Sequence, residues 1–283
     1  MTVINTNINS LVTQNALTRN NRALSTSMEQ LSTGKRINSA ADDAAGLAIT
    51  NKMTSQIRAL NQGIRNANDG ISLMQTAEGA TTEITNMLQR MRELAVQASN
   101  DTYTSFDRSA LNAEVTALKS EISRIGDNTE WNGMKLFTNK SAGSAGGIGV
   151  SGTVRLQLGV DGKDSDRIEV KLNEINSKKL GVSGLSLANL SGATSALATL
   201  DKAIGMIDDD RARFGATINR LTYAVDNLTN VSQNTSASRS RILDTDYAKA
   251  SSEMARTQII QQAATAILAQ ANQSQQSVLK LLG

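Results

Sequence analysis

Apolar residues recur along this chain at three- and four-residue intervals over most of its length, which is the spacing of one face of an α-helix. Near the start Ile4, Ile8 and Leu11 keep that spacing, and Leu17, Leu24, Met28 and Leu31 resume it after a one-residue slip. Gly34 stands where a left-handed helix stop is expected. Ser39-Ala-Ala-Asp42 has the form of a capping box, and a helix is predicted from about Asp43 to Asn100. Its stripe passes through Ile57, Leu60, Ile64, Ala67, Ile71 and Met74, then shifts to Ile84, Leu88, Met91 and Ala95. At 1.5 Å per residue such a helix is roughly 85 Å long, far more than a compact domain needs. Thr104-Ser-Phe-Asp107 is a second capping box. It opens a helix carrying Leu111, Val115, Leu118, Ile122 and Ile125, with Gly126 as its predicted end.

Between about Ser141 and Ser191 the period changes. Ser and Gly cluster at 141–152, after which Val154, Leu156, Leu158 and Val160 alternate, as do Ile168, Val170 and Leu172. Asp161-Gly162 lies between the two runs, so a β-hairpin is predicted at about 153–173. Helical spacing returns with Leu197, Leu200, Ile204, Ile207, Phe214, Ile218, Leu221, Val225 and Leu228. A last helical stretch runs from about Asp246 through Tyr247, Ala250, Met254, Ile260, Ile267 and Ala271. The expected fold class is mainly α, a long antiparallel helical bundle or coiled coil with a small β-hairpin.

The two ends depart from an ordinary surface helix, because residues 1–18 and 257–279 carry no charged side chain. Low-complexity disorder is one reading of their amide content. Helices buried in an assembly are the other, favoured because the apolar residues hold helical phase and a charge in such a place is costly unless paired. The two readings combine. Ordering about 60 terminal residues costs at least ~60 kcal/mol of backbone entropy, and two thin helices cannot offset that alone. The expectation is ends that are disordered in the monomer and helical in a polymer.

Composition narrows the function. The 283 residues include no Pro, Cys or His. A chain of this size would carry about fourteen prolines at ~5% usage, and their absence permits long unbroken helices. Without Cys and His there is no disulfide framework, no thiolate and neither of the commonest metal-ligand types. Acid pairs such as Asp42/Asp43 and the run Asp208/Asp209/Asp210 fit helix capping and solvated charge better than a hydrolase or hard-metal site, since no partner base accompanies them. No enzyme, no cofactor and no metal site is expected. The net charge of +3, without a basic stripe interleaved with aromatics, argues against nucleic acid. No apolar run reaches the ~18 residues of a membrane span, and the N-terminus lacks the form of a secretory signal peptide.

Several long segments resemble bacterial flagellin. They are INTNINSLVTQNAL near the start, LSTGKRINSAADDAAGLAI at 31–49, QRMRELAVQASN at 89–100, SRILDTDYAKASSEMARTQIIQQA at 240–263 and the ending LAQANQSQQSVLKLLG. The resemblance implies a structural subunit that self-assembles into the extracellular flagellar filament used for motility. It also implies secretion through the flagellar type III apparatus without cleavage. By it, residues 1–43 and 244–283 pair as an inner, lumen-lining coiled coil, and 44–243 form an outer helical rod with the hairpin. The variable surface domains of larger flagellins look absent, which marks a short form. The implied partners are further copies of the chain, flagellar cap and hook-associated proteins, an export chaperone and the flagellin-sensing Toll-like receptor. The hook–filament junction protein is a homologous alternative, disfavoured by the DDAAGLAI and RELAVQ segments. A soluble enzyme or binding domain is a third reading with no supporting residue.

The site residues follow from the same segments. Ile4, Ile8, Leu11, Leu24, Met28, Leu31, Ile260 and Ile267 are expected to pack the inner coiled coil. In the long helix, Leu88, Met91 and Ala95 share a core face, while Gln89, Arg90, Glu93, Leu94 and Gln97 lie on the other side, with Leu94 as an exposed apolar anchor. Lateral packing between subunits is the primary role expected of that side. By resemblance it is also, with Glu114, what the Toll-like receptor reads. Val278, Leu279, Leu281 and Leu282 resemble the leucine motif sensed by cytosolic inflammasome receptors, with inner-domain packing as the structural role. Gly283 replaces the basic residue often found last.

Overall fold

The computed structural model describes residues 6–138 and 152–282, with side chains in the last helix as far as residue 273. The expected Ser/Gly loop at 141–151 and Ile4 lie outside the described residues, as do the side chains of Val278, Leu279, Leu281 and Leu282. Five long helices are described: α1 (Ile8–Thr33), α2 (Ala44–Ala98), α3 (Ser105–Asn128), α4 (Leu190–Leu243) and α5 (Tyr247–Leu282). Two small antiparallel hairpins join them, β1 (Glu130–Trp131) with β2 (Met134–Lys135) and β3 (Thr153–Gln157) with β4 (Arg167–Lys171). The chain divides into two compact units, residues 1–57 with 233–283 and residues 58–232.

In the first unit α1 and α5 run antiparallel side by side. Asn7 caps α1, its side-chain oxygen accepting from the Ser10 N–H at 3.0 Å. Gly34 ends the helix at φ 69°, as expected, and donates its N–H to the Gln30 carbonyl. The chain beyond it pairs with the segment after α4: Arg36 N–H donates to the Leu243 carbonyl at 2.7 Å and Thr245 N–H to the Gly34 carbonyl at 3.0 Å. The helix start at 39–43 differs from the expected box. Asp42 accepts from the Asn38 and Ser39 N–H groups and closes a turn, which holds its carboxyl below the usual carboxylate range. Asp43 is the residue that caps α2, accepting from the Gly46 N–H at 2.8 Å.

The second unit holds the main core. α2 contributes Leu73, Met74, Ile84, Leu88, Met91 and Leu94, α3 contributes Val115 and Ile122, and α4 contributes Leu200, Ile207 and Phe214. The Thr104 capping box forms as expected: Thr104 Oγ1 accepts from the Asp107 N–H, and Asp107 accepts from the Thr104 N–H. Gly126 does not end α3, which runs on to Asn128. It is a point of close approach, where a side-chain carbon would collide with the Ile175 carbonyl. The predicted hairpin is present in the register Thr153↔Lys171 to Gln157↔Arg167. The β1–β2 hairpin was not anticipated. Its turn is Asn132-Gly133, both at positive φ (48° and 77°), the residue pair such two-residue turns require, so the signal was in the sequence.

Candidate assembly surfaces

Two surfaces carry the residues singled out from the sequence. The first is the α1–α5 pair. Its buried positions on α1 are Ser10, Asn20 and Ser27, with Thr13, Leu17, Leu24 and Leu31 half-buried between them. These alternate at three and four residues, the spacing of a coiled-coil seam. On α5 the seam is Ala250, Thr257 and Ala264, interleaved with Met254, Gln261, Leu268 and Ala271. Hydrogen bonds tie the helices across it. Asn20 Nδ2 donates to the Thr257 carbonyl at 2.7 Å, Asn7 Nδ2 to the Ala271 carbonyl at 3.1 Å and the Tyr247 hydroxyl to the Leu31 carbonyl at 3.3 Å.

This corrects most of the expected seam. Leu24 and Leu31 do line it. Ile8 is 57% exposed, Leu11, Met28 and Ile260 also face outward, and Ile267 is 56% exposed. The physical reason is size. Ser, Ala and Thr at the buried seam positions let two helices approach and hydrogen-bond across, with Leu17, Leu24, Leu31, Met254 and Leu268 half-buried beside them, and the isoleucines of both helices stay on the outside. Sequence reasoning missed Ser10, Asn20, Ser27 and Thr257 because a search for apolar stripes passes over small polar residues. Their own 3-4 spacing was the available signal.

The second surface is on α2. Arg90 Nε meets Glu114 Oε1 of α3 at 2.9 Å and its Nη1 meets Glu93 Oε2 at 3.0 Å, and these hydrogen bonds raise the Arg90 pKa further above its ordinary value. Gln97 Nε2 donates to the Tyr103 hydroxyl at 3.0 Å. Gln89 and Glu93 border a shallow groove with Arg92 and Val96. Gln89, Arg90, Glu93, Gln97 and Glu114 therefore share one exposed face.

Leu94 does not belong to that face. It is 1% exposed and part of the core, as are Met91 and Ala95. At about 100° per residue, 94, 98, 91, 95 and 88 cover an arc of roughly 120°. Arg90 flanks one edge of that arc and pairs with Glu114 of α3; Arg92 flanks the other and pairs with Asp201 of α4 at 2.6 Å. Two neighbouring helices bury a wider stripe than one does, and Leu94 lies at the Arg90 edge of that stripe. The apolar side chain open on this part of α2 is Val96, 50% exposed.

The acid run on α4 splits as well. Asp208 and Asp209 are exposed, as solvated charge should be, whereas Asp210 is buried and accepts from Asn173 Nδ2 at 2.5 Å. It lies in a cleft of about 490 Å³ with Lys171, Met206 and Arg213. Among the described residues no cluster of His, Cys, Asp and Glu could hold a metal, and no helix is long and apolar enough to cross a membrane.

Comparison with known proteins bears on the same segments. A model of the bacterial flagellin N-terminal helical region matches residues 4–142, and one of the bacterial flagellin C-terminal helical region matches residues 197–282. A flagellin of Halalkalibacterium halodurans is 44% identical over 255 residues, covering 90% of each chain. Polar flagellin F of Vibrio parahaemolyticus is 36% identical over 373 residues, covering 99% of each chain. That alignment exceeds the 283 residues present here, so the relative carries residues that this chain lacks. The crystal structure of Bacillus cereus flagellin matches with a TM-score of 0.51 and 32% identity, over 62% of this chain and 94% of that one. A putative flagellar hook-associated protein from Vibrio parahaemolyticus matches with a TM-score of 0.59 over 72% of this chain and 100% of that one. At 14% identity that likeness concerns the fold alone.

Proposed function

The chain belongs to the bacterial flagellin family and is a structural subunit of the flagellar filament, not an enzyme; from that premise we propose which of its surfaces carry assembly and recognition. The observation that carries the reading is the inverted terminal pair. A seam of buried Ser, Asn, Thr and Ala flanked by half-buried leucines holds α1 against α5, while Ile8, Leu11, Val12, Met28, Ile259, Ile260 and Ile267 face outward on helices almost free of charge there. Exposed apolar stripes of this kind are what a protein keeps for contact with further protein. Residues 1–43 and 244–283 then form the inner, lumen-lining layer of the filament, with Ile4 and the Val278, Leu279, Leu281, Leu282 end as further packing elements. Residues 44–243 form the outer rod.

In the outer rod the exposed face of Gln89, Arg90, Glu93, Gln97 and Glu114 makes lateral contacts between subunits. The same face is the one a flagellin-sensing Toll-like receptor reads, with Leu94 supporting it from the core beneath. The C-terminal leucines serve recognition by cytosolic inflammasome receptors, and an export chaperone holds the terminal segments before secretion by the flagellar type III route. Cap and hook-associated proteins meet the polymer at its ends.

Ile267→Lys tests the assembly reading. A lysine there is driven into a contact between copies, where an unpaired charge costs several kcal/mol in every subunit. Seeded solutions of the variant, viewed by electron microscopy, are expected to show no filaments while circular dichroism reports the rod still folded. Filaments of normal length and number would place position 267 in solvent in the polymer and overturn the reading.

A further inference from the structure

Of the three phenylalanines in the chain, two are core residues and one stands in solvent. Phe137 and Phe214 are 1% exposed, whereas Phe106, in the first turn of α3, is 82% exposed. Aromatic rings are enriched at the centres of contacts between proteins. The loop and turn that carry this ring also expose two carboxylates, Asp101 and Asp107. The cation beside them is turned inward: Arg108 Nε donates to the Ala98 carbonyl and its Nη2 to the Asn100 carbonyl, both at 3.0 Å. Phe106 is thus an apolar knob with a negative collar.

The cleft that holds Asp210 has the complementary form. Buried Leu172, Ile175 and Leu180 line it, and Met206, 46% exposed, adds a thioether of the kind that packs well on aromatic rings. Its volume is about 490 Å³, and a cavity of about 150 Å³ suffices for a benzene ring. The exposed charges of its lining are Lys171, Lys179 and Arg213 against Asp209 alone. The other two carboxylates are turned in and accept from amides, Glu174 from Asn176 and Asp210 from Asn173. Gly126 lies against Ile175 of the cleft. Phe106 is twenty residues from Gly126 on the same helix, about 30 Å at 1.5 Å per residue.

We propose that Phe106 of one copy seats in this cleft of a second copy, with Asp101 and Asp107 facing Lys171 and Lys179 across the contact. A knob and a socket at different places on one chain make a heterologous contact, which repeats head to tail in an open polymer. This contact is separate from the exposed face of α2, and it rests on the assembly reading above.

Photochemical cross-linking tests it. Chains with p-benzoylphenylalanine in place of Phe106 are added as a minor fraction with unsubstituted subunits to seeds, irradiated and peptide-mapped. Cross-links between chains are expected within residues 171–180 or 206–213, and cross-links only elsewhere, or none, overturn the proposal. Phe106→Ser is expected to leave the Tm of the monomer unchanged and to raise the protein concentration needed for elongation about tenfold. Unchanged elongation, or a lowered monomer Tm that makes Phe106 a support of the fold, overturns it as well. Should the photoreactive chain not add to seeds, charge exchange decides. Asp101→Lys alone and Lys171→Glu with Lys179→Glu are each expected to slow elongation, and all three in one chain to restore it; a triple variant no faster than either parent sinks the contact. Failure of the unsubstituted chain to grow on seeds would sink the assembly reading and this contact with it, whereas filaments with Phe106 cross-linked elsewhere sink the contact alone.

Discussion

At the scale of single residues, the position of Leu94 changes what its removal should do. Leu94 is a fully buried core side chain, so its truncation leaves a cavity, and such changes cost about 2–5 kcal/mol. Leu94→Ala is expected to lower the denaturant midpoint of the monomer accordingly, whereas Val96→Ala, half in solvent, should stay within about 0.5 kcal/mol of the unsubstituted chain. Equal effects would contradict the burial. Asp210 makes a second case. Burial raises its pKa, while the Asn173 hydrogen bond and Arg213 act in the opposite direction. The fold therefore disfavours the ionised form, and the protein gains stability as the pH falls from neutrality through that raised value. Asp210→Asn keeps an acceptor for Asn173 and cannot ionise. Thermal unfolding of the variant should show the same or a slightly higher Tm at neutral pH, within about 1 kcal/mol, and a flatter rise on mild acidification. A sharply lower Tm at neutral pH would mean that the charge itself is needed, through Arg213.

At the scale of elements, the terminal pair and the rod are built on opposite principles. The rod buries leucine, isoleucine and phenylalanine from three helices. The terminal pair buries serine, asparagine, threonine and alanine, and shows its isoleucines to the outside. Apolar burial is the main favourable term in folding, so a pair with this seam gains little by itself against the entropy of ordering two helices. Amides of α1 and α5 are accordingly expected to exchange freely with solvent deuterium in dilute monomer and to become protected on polymerisation, while α2, α3 and α4 within residues 58–232 are protected in both. Strong protection of α1 and α5 in dilute monomer would overturn this.

At the scale of the whole molecule, the function proposed above gives one exposed face on α2 both a neighbouring subunit and a receptor to serve. Two ligands of one surface exclude each other, and a polymer presents that surface at a very high local concentration of its own copies. Monomer is therefore expected to activate the receptor, and cross-linked filament to do so weakly at equal protein mass. Gln89→Ala and Glu93→Ala should weaken lateral packing and receptor signalling together, since both side chains are exposed and neither supports the core. Cross-linked filaments as active as monomer would separate the two surfaces.

Much of this was legible in the residues alone. The 3-4 stripes of α2, α3 and α4, the Thr104–Asp107 box, the Gly34 stop and the alternating strands around Asp161-Gly162 each follow from local physics. The residues that specify such an element are the ones within it. The charge-free ends were equally plain, since charge is read from composition. What the sequence could not decide was which neighbour each stripe meets. Leu94 is buried because the core shared with α3 and α4 reaches that side of α2, and Ile267 is outward because α5 meets α1 through Thr257 and Ala264. Gly126 reads as a helix end until the Ile175 carbonyl arrives against it from 49 residues further along the chain. In each case the deciding contact is made by residues far away in sequence, and periodicity tells which face of a helix is apolar without telling what comes to cover it.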